Sequence, residues 1–307
     1  MSAVAVERLS KRFGHFAAVE DVSFEVPEGQ VLAVLGPNGA GKTTTLEMLE
    51  GFLSPSSGLV RVLDADPRRG GRSWRGRVGL VLQSTSLDAE LTVRETLELY
   101  SALYARPWPV DEVLELMDLS SDEQTRTGAL SGGQRRRVDV AIGIVGRPEI
   151  LFLDEPTTGL DPEARRRTWA GVERLIAHGT TVLLTTHYID EADELADRVI
   201  VLAGGRIVTD TTPEGLRAQG GPSTIRYPLP PQVALEELPE SLARHLDTER
   251  RTLVIQHPDV TACLGELVAW AASRRLDLTR LEVGRPSLEE AYLRAIGEPV
   301  IPQEHAA

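Results

Sequence analysis

"VLAVLGPNGAGKTTTLEML", residues 31–49, joins three local patterns in a fixed order. Val31 to Leu35 is an uninterrupted apolar run, the pattern of a strand buried on both faces of a parallel sheet. The loop from Gly36 to Thr44 follows, with glycines at 36, 39 and 41. Leu46, Leu49 and Leu53 then recur at i, i+3 and i+7, so residues 43–53 read as an amphipathic helix. Between a strand and a helix, Gly36, Gly41, Lys42 and Thr43 have the spacing of a phosphate-binding loop. Glycines let successive backbone N–H groups close on phosphate oxygens, and the helix N-terminus adds a favourable dipole. In that reading Lys42 reaches the β and γ phosphates and the Thr43 hydroxyl ligates Mg²⁺. The bland alternative is a glycine turn between strand and helix, and the register of all three parts argues against it. Lys11 and Lys42 are the only lysines of the chain, so Lys42 marks a place that needs a compact ammonium rather than a planar fork.

Outward from this unit the same punctuation recurs. "VGLVL" (78–82), "ILFL" (150–153) and "VLL" (182–184) are further short apolar runs of the buried parallel type. Residues 92–104 and 110–118 read as helices, ahead of a third that starts near Gln134. Upstream, Val4, Val6, Val22, Phe24 and Val26 alternate with polar residues as half-buried antiparallel strands do. "VIVLAGGRIVTD" reads as a hairpin across Gly204 and Gly205. The first domain is therefore α/β, a mixed sheet with an added antiparallel layer. The cluster "AQGGPS" (218–223) breaks the pattern and sets the expected division, 1–220 and 221–307. The second part reads as a small α+β module. Its strands are "STIRYPL", "RTLVIQH" and "TRLEVGR", and its helices are "DVTACLGELVAWAAS", with Leu264, Leu267, Val268 and Ala271 on one face, and "SLEEAYLRAIG".

Bulk composition narrows the class. The chain has 307 residues, 41% of them apolar, enough for a full domain with a smaller companion. Its apolar runs fall far short of the roughly 18 residues a spanning helix needs. The N-terminus reaches Glu7, Arg8 and Lys11 before any sustained apolar stretch, so it does not read as a secretory signal. A net charge of −13, from 33 basic against 46 acidic residues, argues against nucleic-acid binding through a broad basic face. Cys263 stands alone and is expected to be a buried small apolar residue.

Other motifs reach the same sheet edge as the loop. "EILFLDEP" (149–156) is a buried strand ending in Asp154 and Glu155, and ligands of open α/β sheets bind at those carboxyl ends. Asp154 then holds Mg²⁺ and Glu155 polarises the attacking water as general base. An acidic helix-cap pair is the plainer alternative. His187 ends the next buried strand, where it can bond a γ-phosphate oxygen and orient water, or serve structure alone. Gln83 ends "VGLVL" and can touch Mg²⁺ or the water without adding charge. "LSGGQRRR" (130–137) adds a second glycine loop. Ser131 is a good N-cap, and Gly132 and Gly133 allow close approach, so a helix N-terminus suited to an anion is expected there. One ATP occupies both loops only if the fold joins them. If they lie on opposite sides, a two-fold pair puts each "LSGGQ" on the partner's ATP. Arg135 to Arg137, and likewise Arg165 to Arg167, read as solvated basic faces.

Gly36 to Thr43, Gln83, "LSGGQ" (130–134), "ILFLDEP" (150–156), "GLD" (159–161) and His187, in this order, resemble an ATP-binding-cassette (ABC) ATPase over roughly residues 3–215. The resemblance implies a P-loop ABC-type ATPase domain with a helical subdomain, ATP and Mg²⁺ as cofactors, and a two-subunit sandwich closed by ATP. It assigns nucleotide contacts to Gly36, Pro37, Asn38, Gly39, Ala40, Gly41, Lys42, Thr43 and Thr44. Across the interface it assigns them to Ser131, Gly132, Gly133 and Gln134, with Asp161 communicating between subunits. Thr43, Gln83 and Asp154 are the implied metal contacts. The family stacks an aromatic ring on adenine before the first strand pair, and Phe13 takes that position here in place of the commoner tyrosine. Where related proteins often have proline, Leu82 precedes Gln83.

With one cassette and no spanning run, a transporter reading requires a separately encoded multi-span permease. "HYIDEADELADRVIVLAGGRIV" and "RPSLEEAYLRAIG" are similar to drug-efflux ATPases of the daunorubicin-resistance type. That likeness implies a homodimer at the cytoplasmic face of the membrane, export of a drug, antibiotic or lipid-like compound, and permease docking on residues 84–104. With 9 arginines against 13 acids from Gly221 on, the C-terminal part is not read as a nucleic-acid module, and a dimer contact or regulatory role is expected. An importer ATPase shares the same core motifs and stays open as an alternative. A non-transport ABC ATPase is the other, although the chain lacks the split cassette of the DNA-acting kind and the second cassette of the translation kind. A P-loop kinase leaves "LSGGQ" and Glu155 unexplained.

Overall fold

The chain enters through a long hairpin, β1 (Ser2–Phe13) and β2 (Phe16–Pro27). There follow β3 (Val31–Leu35), α1 (Lys42–Glu50), β4 (Ser57–Val62), α2 (Arg72–Arg75) and β5 (Val78–Val81). Three helices come next, α3 (Val93–Ser101), α4 (Val110–Leu116) and α5 (Gly132–Val145). Then β6 (Ile150–Asp154), α6 (Pro162–Ala177), β7 (Thr181–Thr186), α7 (Ile189–Leu195), β8 (Arg198–Ala203) and β9 (Arg206–Thr211) complete the first unit. The computed structural model describes residues 2–82, 87–248, 251–257, 260–284 and 286–297. The chain divides into two units, Met1–Pro213 and Glu214–Ala307.

The first unit has two sheets. β2-β1-β4 is antiparallel, and β5-β6-β7-β3-β8-β9 is parallel except for β9. Every residue of β3, β6 and β7 is buried, as their continuous apolar runs require. One hydrophobic cluster unites Val4, Val6, Val22 and Phe24 of the antiparallel layer with Leu46, Met48 and Leu49 of α1 and with Leu32, Phe152 and Leu183 of the parallel sheet. The helix after the loop is thus part of the core. Each such side chain contributes about 1.5–3 kcal/mol by leaving water, and this burial holds the loop's helix in place.

Two local readings need adjustment. α1 stops at Glu50, short of Leu53, because Gly51 takes φ 84° as a left-handed cap. Phe52 and Leu53 N–H groups then both donate to the Glu47 carbonyl. β4 carries no clear strand signal in the sequence, since its residues are mostly exposed and lack a clean alternation. The hairpin at 204–205 forms as expected, with both glycines at positive φ.

The second unit holds α8 (Pro213–Gln219, from Glu214 on), β10 (Ser223–Pro228), α9 (Glu240–Ala243), β11 (Leu246–Asp247), β12 (Thr252–His257), α10 (Val260–Ser273), β13 (Glu282–Gly284) and α11 (Leu288–Ala295). Its antiparallel sheet runs β11-β12-β10-β13, with α10 packed on β10 and β12. Leu267, Trp270 and Ala271 form the buried face of α10. Val268, expected on that face, points to solvent, and Trp270 fills the position one turn from Leu267. Cys263 is half-buried at the rim of this core rather than inside it.

Candidate active site

The sheet register brings the motifs to one edge. Leu35 pairs with Thr186 and Val201, and Asp154 pairs with Thr185, so β3, β6 and β7 end together. Gly36, Glu155 and His187 are the next residues along these strands. The loop that follows β3 is closely packed from behind. A side chain at Gly36 would meet the Leu202 carbonyl at 2.5 Å, and one at Gly41, where φ is 100°, would meet the Ala18 carbonyl at 2.4 Å. Glycine is therefore required at both places.

Gly41 caps α1 without a side-chain bond, and no acid occupies the first turn, so its leading N–H groups face the loop uncompensated. Lys42 is 6% exposed, and its ammonium donates to the carbonyls of Gly36 (2.6 Å) and Pro37 (3.2 Å). Burial holds its pKa below the ordinary lysine value, against the opposing pull of Glu155 and Asp154. Thr43 is exposed at the start of the helix. Pro37, Asn38, Gly39, Ala40 and Thr44 complete the loop and its first turn.

On β6, one strand removed from β3 across β7, Asp154 is 8% exposed and accepts a bond from the Thr185 hydroxyl at 2.5 Å. Glu155 has φ 44°, a left-handed conformation uncommon outside glycine. Its N–H donates to the Thr185 carbonyl (3.0 Å) and hydroxyl (3.2 Å). Its carboxylate lies 3.4 Å from His187 Nδ1 and accepts from the Thr158 hydroxyl at 3.1 Å. The His187 ring packs on Tyr188 at 4.1 Å, and the Arg165 guanidinium covers that tyrosine at 3.9 Å. Arg165 is therefore stacked rather than free in solvent.

Ser131 begins α5 in a capping box: its hydroxyl accepts from Gln134 N–H, and the Gln134 amide oxygen accepts from Ser131 N–H. Gln134 also donates to Asp122 at 2.9 Å. Asp161, expected only as an interface messenger, caps α6 by accepting from Glu163 and Ala164 N–H groups, both at 3.0 Å. Those backbone bonds, the Ala164 one first, hold its carboxyl below the usual range. Ser131, Gly133, Gln134 and Asp161 line one shallow depression of about 340 Å³, and no residue of the loop at 36–44 lines it. Gly132 lies exposed beside them. Phe13 sits at the end of the β1–β2 hairpin, 50% exposed, with the Lys11 ammonium 5.1 Å from its ring. Gln83 lies outside the described residues.

The solvated face expected at Arg135 to Arg137 is a correction. Arg135 is exposed, but Arg136 and Arg137 are buried, because they share the inner side of α5 with Val140 and Ile144. Arg136 bonds main-chain carbonyls around the Asp154–Glu155 turn. The signal was the helical phase, 136, 140 and 144, which the run of like charges masked.

The hydroxyl and carboxylate oxygens of Thr43 and Asp154 suit Mg²⁺, a hard ion that keeps several water or phosphate ligands. Among the described residues no group of three or more His, Cys, Asp or Glu side chains could hold a metal. Such an ion would take the rest of its shell from water and phosphate oxygens.

Strand, glycine loop, buried lysine and a pair of acids at the end of β6, two places along the same sheet, define a P-loop nucleotide-binding protein. Comparison with known proteins sharpens the class. The family described as ABC transporter matches residues 19–158, and an ABC transporter C-terminal domain matches 223–287. The daunorubicin resistance ATP-binding protein DrrA3 of Streptomyces coeruleorubidus is 38% identical over 307 residues, 97% of this chain and 96% of that protein. The Nod factor export ATP-binding protein I of Rhizobium johnstonii is 38% identical over 306 residues, 97% of this chain and 96% of that protein. An ATP-binding subunit of an ABC transporter superposes with a TM-score of 0.63 at 27% identity, covering 71% of this chain and 92% of its own. A dimeric bacterial ABC transporter cassette gives 0.60 at 25% identity, over 68% of this chain and 98% of its own. The chain belongs to the ABC transporter ATP-binding proteins.

Proposed function

We propose that this chain binds and hydrolyses ATP with Mg²⁺ as a homodimer. It energises a separately encoded multi-span permease, from the cytoplasmic face of the membrane, for export of a drug, antibiotic or lipid-like compound. The observation that carries the hydrolytic part is the Glu155 carboxylate, held 3.4 Å from His187 on strands that end beside Lys42. Export is favoured over import because the relatives that align along nearly the whole chain carry drug-resistance and Nod-factor-export names.

In this reading the Lys42 ammonium turns from the Gly36 and Pro37 carbonyls to phosphate oxygens, which are stronger acceptors. The first-turn N–H groups of α1 add their dipole. When bound, Mg²⁺ would neutralise phosphate charge. Thr43, Asp154 and Gln83 would hold it, and the Thr185 hydroxyl fixes the Asp154 carboxylate. Glu155 takes a proton from the attacking water while His187 orients that water. Phe13 offers a ring face to the base. Residues 84–104 are proposed to receive the permease. In support, Leu103 and Tyr104 border a cavity of about 1000 Å³ together with Trp108 and Arg147. The proposed division at 220/221 is supported by the C-terminal family match at 223–287, although the units part after Pro213.

Replacing Glu155 by Gln tests the hydrolytic core. ATP binding is expected to persist while hydrolysis falls at least about 100-fold, the scale of a lost general base, and an ATP-bound dimer accumulates on size-exclusion chromatography. Hydrolysis at the wild-type rate removes the base assignment.

A further inference from the structure

Arg136 is 7% exposed, and its guanidinium is spent on the main chain. Nε donates to the Pro156 carbonyl (2.6 Å), Nη1 to the Leu82 carbonyl (2.6 Å), and Nη2 to those of Asp154 (3.1 Å) and Glu155 (3.3 Å). Nη1 also lies 3.8 Å from Asp139. Three successive carbonyls converge on one cation at a turn where Glu155 has left-handed backbone geometry. Such a conformation persists where its surroundings over-determine it. Here the Glu155 N–H is held by Thr185 on one side, and the carbonyls are held by Arg136 on the other. Burial disfavours the charged guanidinium. A cation kept at that cost, with its donors on the turn that carries the proposed base, has a use there. A planar fork with five N–H donors suits this convergence of four carbonyls, from Leu82 and from 154–156.

We propose that Arg136 is a positioning residue for ATP hydrolysis. It fixes the main chain of 154–156 so that the Glu155 carboxylate stays against His187. It also ties that turn to Leu82, ahead of Gln83, and to α5, whose N-terminus carries Ser131. Displacement of α5 is thereby delivered to the backbone of the base. The proposal rests on the reading of Glu155 as general base.

Arg136→Met and Arg136→Lys in the full chain, with Glu155→Gln alongside, test it through kcat and KM for MgATP, equilibrium ATP binding and melting temperature. Arg136→Met is expected to lower kcat about 10- to 100-fold, with KM and ATP affinity within about threefold of wild type, since misplacing a reacting group by an ångström costs this much. Arg136→Lys, which keeps the charge but not the fork, is expected to recover only part of that loss, with kcat more than about twofold below wild type. Should Arg136→Met fail to fold, Arg136→Lys decides: a lower kcat at unchanged KM supports the proposal, and a kcat within about twofold of wild type overturns it. A kcat within that range in both variants overturns it as well. So does a joint fall of kcat, ATP affinity and melting temperature, which marks a purely structural arginine. Wild-type hydrolysis by Glu155→Gln sinks the base reading itself. An inactive Glu155→Gln beside fully active Arg136 variants sinks only the positioning role.

Discussion

Burying α1 against the sheet has its sharpest single-residue consequence at Glu50, at the helix's last position and 7% exposed. Burial, then the charges of Asp154 and Glu47, raise its carboxyl pKa from 4.5 to about 7. A carboxyl raised on folding keeps its proton in the native state where the unfolded chain has released it, so stability falls as pH rises from about 4.5 to 7 and stays reduced above that. The shift corresponds to roughly 3 kcal/mol. Glu50→Gln is therefore expected to stabilise the protein, with a much larger gain near pH 8 than near pH 5 in denaturant titrations. An equal gain at both would locate the effect in packing instead of charge. Lys42 is legible from the glycine-loop spacing, and Asp154, Glu155 and His187 because they stand at the ends of buried runs, where a polar residue is conspicuous. Glu50 and Arg136 escaped it because their environment depends on what packs over a helix, and charge in a sequence reads as solvent. Thr185 escaped because a hydroxyl in a strand carries no signal until its register partner is known.

Helix ends show the same difference between pattern and partner. The sequence places α1, α3, α4 and the start of α5 to within a few residues, since caps and glycines are local, but it does not say what each cap does. Asp161 is the instructive case: resemblance implies a messenger across an interface, and the structure makes it the N-cap of α6. Asp161→Ala is expected to lower the melting temperature through the lost cap, while Asp161→Asn retains most of the wild-type stability. Equal stability of wild type and the alanine variant would show that the two backbone bonds contribute nothing. Comparing ATPase rates of the Asn and Ala variants then separates cap from messenger. An interface role needs the carboxylate and is lost in both.

The disposition of the two glycine loops bears on how many chains the proposed site needs. Lys42, Asp154, Glu155 and His187 gather at the ends of β3, β6 and β7, whereas Ser131, Gly133 and Asp161 line a depression to which residues 36–44 contribute nothing. The proposed homodimer would give each nucleotide one loop from each chain, with two equivalent sites by symmetry. Ser131→Arg spoils the depression but leaves its own Lys42 intact, and Lys42→Ala does the reverse. Each variant alone is then expected to be inactive. In an equal mixture, half of the dimers are mixed, and each holds one site built from an unaltered Lys42 and an unaltered Ser131. Hydrolysis should return to about one quarter of the wild-type rate per chain if sites act independently. If Ser131 instead served the nucleotide of its own chain, every site in the mixture would carry one lesion. Complete inactivity, with mixed dimers verified by tandem-tag capture, would therefore rule out the shared site.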